Sequence, residues 1–196
     1  MSDKEQKIIE KKKIIINALK NCLERDVYSN ISLEHVAREA GLSKGGLRHY
    51  FSTREELFIY LIEDFFNEIE KDQILIMQDF ELDSKDKAFI STLFNIEKFL
   101  LDKANIKIFI NLILYGFEDE KIMKPIKTFI KNHRIMYENI IKDLKIEKTA
   151  ISDEKLKFIG RITQIILLCA GLFESIDPIK MDTPTLIEFF LKLYKE

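Results

Sequence analysis

Six glycines and three prolines are spread over 196 residues, too few to punctuate the short strands and turns of a sandwich or barrel. The two cysteines, Cys22 and Cys169, lie in apolar helical patterns without C-x-x-C spacing or a ligand cluster. Both are expected buried and reduced, as in a reducing cytosol. The three histidines, His35, His49 and His133, lack metal-ligand spacing, and no nucleophile motif accompanies them. Neither a metal, a cofactor nor an enzymatic activity is implied. The N-terminus is charged from Asp3 onward and builds no signal-peptide apolar segment. The longest apolar run, 165–173, falls well short of the roughly 18 residues that suggest a membrane span. A cytoplasmic protein with no membrane partner is expected.

What is present reads as helix. Hydrophobic residues make up 46% of the chain and charged residues 33%, enough for a core beneath a well-solvated surface. Net charge is -2, but it is unevenly distributed. Residues 1–54 carry eleven Lys/Arg against seven Asp/Glu, so any basic footprint lies at the N-terminus. Ile15, Ala18, Leu19, Cys22 and Leu23 share one face of a first helix over 7–25. Ser32 can cap a second helix bearing Leu33, Val36, Ala37 and Ala40, which Gly41 can end in a left-handed cap. Ser43 can cap a third over 44–50, with Leu42, Leu47 and Phe51 turned to the core. Thr53 and Glu56 form a capping-box pattern, with Glu56 reaching back to the Thr53 amide. A long fourth helix follows through Leu57, Phe58, Leu61, Ile62, Phe65, Phe66 and Ile69, toward Phe80. After a polar loop over 81–87, helical patterns recur at 85–101, 105–117, 120–144, 153–175 and 184–195, about nine helices in all.

The second and third helices, joined through Ala-Gly-Leu-Ser, form a helix-turn-helix, whose second helix can enter the major groove while the first crosses the DNA backbone. Ala37 and Ala40 let the helices cross closely, and Gly41 permits the sharp turn. From Ile8 to about Ile62, and most strongly in "VAREAGLSKGGLRHYFSTREEL", the sequence resembles the TetR family of bacterial transcriptional regulators. The resemblance implies a DNA-binding domain over 1–53 and a helical ligand-binding and dimerisation domain over 54–196. It puts Ser43, Lys44, Gly45, Gly46, Arg48, His49 and Tyr50 on the recognition helix. Arg54 takes the place of the family's usual lysine, a position that commonly touches a phosphate, and Thr53 can present its backbone amide to phosphate. Two residues depart from the family pattern. Gly46 stands where Thr or Ser is usual, and Arg48 where Tyr is common. Arg48 can contact phosphate or read guanine through O6 and N7.

The remaining helices hold enough large apolar residues for a bundle core, among them Phe109, Leu112, Leu114, Phe117 and Phe129. Phe94, Asn111, Tyr115, His133, Tyr137 and Gln164 are the candidates to line a small-molecule pocket. The run "FIGRITQIILLCAGLFESI" is apolar almost all round, and its Gly160, Ala170 and Gly171 would let another helix approach closely. With the last helix it is expected to form a two-fold dimer interface. The leading expectation is a dimeric, ligand-responsive repressor of a palindromic operator in double-stranded DNA, released by a small-molecule effector. A DNA-bound structural or adaptor protein without an inducer, and an activator, are the alternatives.

Overall fold

A computed structural model describes residues 2–78, 102–145, 152–179 and 181–195, together with 81, 83, 86–87, 89–90, 93–94 and 98. The elements are α1 (Asp3–Arg25), α2 (Leu33–Glu39), α3 (Lys44–Arg48), α4 (Arg54–Gln78), α5 (Lys103–Glu118), α6 (Glu120–Lys145), α7 (Asp153–Ile176) and α8 (Thr183–Lys195), with a 3-10 turn at Tyr28–Asn30. The all-helical class read from composition is the class adopted, with eight α-helices among the described residues. Most of the helix expected over 85–101, and of the loop before it, lies outside those residues. Two compact units emerge: Met1–Asn67 with Lys107–Thr128, and Glu68–Ile106 with Phe129–Glu196.

In the first unit α1 starts earlier than the apolar period suggests. Ser2 accepts from the Glu5 amide while the Glu5 carboxylate accepts from the Ser2 amide, a reciprocal cap that satisfies two otherwise orphaned donors. The inner face of α1, Ile15, Ile16, Leu19 and Leu23, is fully buried. Helix α2 packs on α1 and α3 on α2, so Val36 and Ala37 of α2 and Leu47 of α3 close the same core. Gly41 has φ +67°, the one positive φ among the described residues. Around it the Leu42 amide donates to the Ala37 carbonyl at 2.8 Å and the Gly41 amide to that of Arg38 at 3.2 Å. That paired pattern ends a helix in a left-handed residue and turns the chain sharply. Leu42 is half-buried and Phe51 fully buried. The α4 start differs in one detail from expectation. Thr53 Oγ1 accepts from the Glu56 amide at 3.0 Å, but Glu56 reaches back to Ser52, accepting from its amide at 2.8 Å and its hydroxyl at 2.7 Å. These bonds lower the Glu56 carboxyl below its ordinary range.

Helix α5 buries Ile108, Phe109, Leu112 and Tyr115 but leaves Leu114 45% and Phe117 76% exposed. The two exposed residues were expected in the core and instead fall on the opposite side of the helix.

In the second unit Tyr137, Ile140 and Ile141 of α6 pack with Ile159, Leu167 and Ala170 of α7 and with Ile187 and Phe190 of α8. A Cβ on Gly160 would lie 2.9 Å from Glu138 Cγ and 3.4 Å from the Glu138 amide nitrogen. The close approach that this glycine was expected to offer another helix is therefore taken by α6 of the same chain. The opposite side of α7 is exposed and apolar, through Phe158, Ile165, Leu172, Phe173 and Ile176. At 3.6 residues per turn these fall within an arc of about 100°. Cys169 lies on this arc and is exposed, whereas Cys22 is buried. Its expected burial fails because the arc has no covering element within the described chain.

Candidate nucleic-acid interface and apolar cavity

Helix α3 spans only Lys44–Arg48, two residues less than expected, with His49 as its C-cap. Ser43 Oγ accepts from the Gly46 amide at 3.0 Å, fixing the first turn. Leu47 is the buried anchor, while Ser43, Lys44, Gly45, Arg48 and His49 are exposed and Gly46 and Tyr50 half-buried. The rings of His49 and Tyr50 meet edge to face at 5.2 Å. Thr53 is exposed at the α4 cap. Lys44 Nζ lies 3.5 Å from Glu34 Oε2, both side chains more than half exposed, a pair that solvent screens and that leaves the lysine available to a stronger anion. A Cβ on Gly45 would meet no atom within 4 Å, whereas one on Gly46 would lie 3.2 Å from Ser43 Oγ.

Arg54 has a different environment. Its Nε donates to the Ile31 carbonyl at 2.9 Å and its Nη2 to the Tyr28 carbonyl. The guanidinium stands 4.7 Å from the Tyr115 ring centroid and 5.1 Å from that of Phe58. Tyr115 stacks on Tyr28 at 5.1 Å, and the Tyr28 hydroxyl donates to Glu118. That bond is the first cause, ahead of desolvation, that raises the Tyr28 phenol above its ordinary value. Asn111 Oδ1 accepts from the Tyr28 amide at 2.8 Å, and its Nδ2 donates to the Lys107 carbonyl at 3.0 Å. Thus Arg54, expected at phosphate, and Asn111 and Tyr115, expected in a pocket, converge on the turn between α1 and α2. Arg54 locks that turn to α5. Nothing in the local sequence signals this, because the Tyr28 and Glu118 partners are 90 residues apart.

The second unit holds a cavity of about 340 Å³ lined by Gln73 and Ile74 of α4 and by His133 and Met136 of α6, with Glu70 and Asn132 also on its wall. Asn132 Nδ2 donates to Glu70 Oε1 at 3.4 Å. His133 stacks on Phe129 at 5.3 Å and meets Tyr137 edge-on at 4.9 Å. Burial in this stack lowers its imidazole from 6.5 to about 4, so the ring is neutral at ordinary pH. Of the six pocket candidates, His133 alone is on the cavity wall. Tyr137 is buried beside it, Gln164 donates to the Ile130 carbonyl at 2.7 Å, and Phe94 is half-buried with Lys98 Nζ 5.6 Å from its ring centroid. Gln73 was missed, although its spacing continues the Phe66 and Ile69 stripe and so marked it as a polar group on a buried face.

An α1–α2–α3 headpiece with a capped, exposed third helix and a second helical unit containing a cavity make up a two-unit helix-turn-helix fold. Residues 15–61 match the family model for bacterial regulatory proteins of the tetR family. A candidate transcriptional regulator from Pseudomonas aeruginosa PAO1 is 15% identical with a TM-score of 0.83, covering 100% of this chain and 91% of that one. A TetR transcription regulator from Haloarcula marismortui ATCC 43049 is 12% identical with a TM-score of 0.80, covering 95% and 97%. NalD, the secondary repressor of the MexAB-OprM multidrug efflux pump in Pseudomonas aeruginosa, is 16% identical with a TM-score of 0.71, covering 96% of each chain. No curated protein matches the sequence. The tetR-family match thus covers the N-terminal helices, and the fold as a whole is that of these solved regulators.

Proposed function

We propose that the protein is a dimeric, ligand-responsive repressor that binds a palindromic operator and is released by a small apolar or amphipathic effector. The exposed face of α3 carries this reading: Ser43, Lys44, Gly45, Arg48 and His49 open to solvent around a fully buried Leu47. Lys44 and Thr53 supply phosphate contacts, Arg48 and His49 read base edges, and Gly45 and Gly46 let the backbone come close to the groove. Tyr50 supports His49 through its edge-to-face ring. Arg54 acts indirectly, by holding the turn that positions α2.

Two further observations support the larger reading. The segment Asp153–Glu174 is long and apolar enough to cross a membrane, and its exposed arc is read here as the face that meets a second copy, in a cytoplasmic protein. Burying such an arc against its own symmetry mate is the natural solution for a closed dimer. Two recognition helices would then reach successive major grooves about 34–36 Å apart. The cavity offers an effector site, and release follows if the effector favours a conformation with another spacing.

Titration of the purified protein with DNA from its own gene neighbourhood, against random DNA at moderate salt, tests this reading. Arg48→Ala is expected to weaken specific binding, and Lys44→Ala to reduce the salt slope by about one. Equal affinity for both DNAs, or no change in either variant, refutes it.

A further inference from the structure

The cavity wall combines an apolar surface with a particular set of polar groups. Gln73 is only 3% exposed, and its Nε2 has no hydrogen-bond partner among the described residues. A buried amide donor left in that state is unfavourable, and an acceptor placed against it recovers the loss. The other polar groups on the wall are the amides of Gln78 and Asn132, the His133 imidazole and the Glu70 carboxylate. Among the described residues of the wall there is no lysine or arginine. Glu70 is its one formal charge and already accepts from Asn132 at 3.4 Å.

That inventory discriminates between ligand chemistries. A carboxylate or phosphate entering the cavity would shed part of its water without gaining a cation from the described wall and would face a like charge. A neutral carbonyl oxygen could take the Gln73 donor at little desolvation cost, while Ile74 and Met136 receive an apolar body. At about 30 Å³ per non-hydrogen atom, a 340 Å³ cavity holds a body of roughly eleven such atoms. We propose that the effector is an uncharged amphipathic molecule of about this size, whose carbonyl-type acceptor binds Gln73 Nε2, and that anionic relatives of the same shape are excluded. The proposal rests on the cavity being the effector site.

Calorimetric titration of the full chain with decanamide and with decanoate tests it, because the two probes share shape and differ in charge. Near neutral pH, decanamide is expected to bind about tenfold or more tightly than decanoate. Gln73→Leu is expected to lower decanamide affinity by about tenfold, and Met136→Trp, which fills the cavity, to abolish binding. Comparing both probes on the unaltered protein keeps the test independent of how either variant folds. If decanoate binds as tightly as decanamide and Met136→Trp removes both, the charge assignment falls while the cavity remains the effector site. If decanamide binds equally well to Met136→Trp, or neither probe binds the unaltered protein, the cavity reading falls and the proposal with it. An unchanged decanamide affinity in a folded Gln73→Leu protein overturns the role of Gln73.

Discussion

Arg54→Met separates two incompatible uses of one side chain. If Arg54 is a phosphate ligand, its loss should barely change stability and should reduce the salt dependence of DNA binding. In the geometry observed, the guanidinium donates to two carbonyls, Ile31 at 2.9 Å and Tyr28, and lies 4.7 Å from the Tyr115 ring centroid. Hydrogen bonds from a charged donor are worth about 1.5–3 kcal/mol each, and a cation over an aromatic face adds about 0.5–1. The side chain is half-buried, so water can reach part of what the arginine leaves, and the net loss should be about 3 kcal/mol. Methionine retains the apolar stem and isolates the loss of the fork. Arg54→Lys should recover less than half of the loss, because a single ammonium cannot reproduce a planar fork bridging two carbonyls. The chain has no tryptophan, so urea unfolding is best followed by far-ultraviolet circular dichroism. The midpoint should fall at unchanged slope, with hydrogen exchange accelerated first in α2. An unfolding midpoint equal to that of the unaltered protein, together with a weaker salt slope for DNA, would refute the clasp and return Arg54 to the phosphate backbone.

Gly45→Ala should stabilise the fold by about 0.5–1 kcal/mol, since the added methyl meets no atom within 4 Å and the helix loses a flexible residue. The same variant should weaken operator binding; a melting curve and a DNA titration read the two effects, and unchanged DNA affinity removes Gly45 from the interface. His133 is held at about 4 in the folded protein against an ordinary 6.5, so the unfolded chain takes up the proton first. Its contribution is full above 6.5 and declines as pH falls toward about 4, a loss on the order of 3 kcal/mol at most. His133→Gln should flatten that part of the stability profile, and an equal slope in the variant counts against this origin. Phe173→Glu, at a position 56% exposed on the α7 arc, should yield a folded monomer in sedimentation; a persistent dimer would locate the interface elsewhere.

The helix-turn-helix was legible because its determinants are local. The Gly41 turn, the Ser32 and Ser43 caps and the spacing of Val36, Ala37 and Leu47 each depend on residues within a few positions. The α1 start is encoded in Ser2 and Glu5, upstream of the apolar period, whose first buried residue is Ile15. What escaped was set by tertiary partners. Arg54 carries the same charge whether it faces phosphate or the Tyr28 carbonyl, and only the folded chain brings Tyr115 beside it. Asn111, Tyr115 and His133 all look like polar groups in apolar stripes. Packing assigns the first two to the headpiece unit and the third to the cavity wall. Exposure along α7 was similarly ambiguous, since a helix apolar all round does not say which arc its own chain covers. Phe158 and Cys169 lie outward while Ile159 and Ala170 lie inward.

The bonds from Asn111 and Glu118 to Tyr28 have a consequence for modularity. Regulators of this architecture invite hybrids in which one protein's reading head is joined to another's sensor at the start of α4. Here such a splice would strip the Tyr28 amide of its acceptor and its hydroxyl of Glu118, and would part the Arg54 guanidinium from the Ile31 and Tyr28 carbonyls. The transferable cassette is therefore discontinuous: a working graft has to carry the matching face of α5 along with the N-terminal helices, or redesign all three partners together.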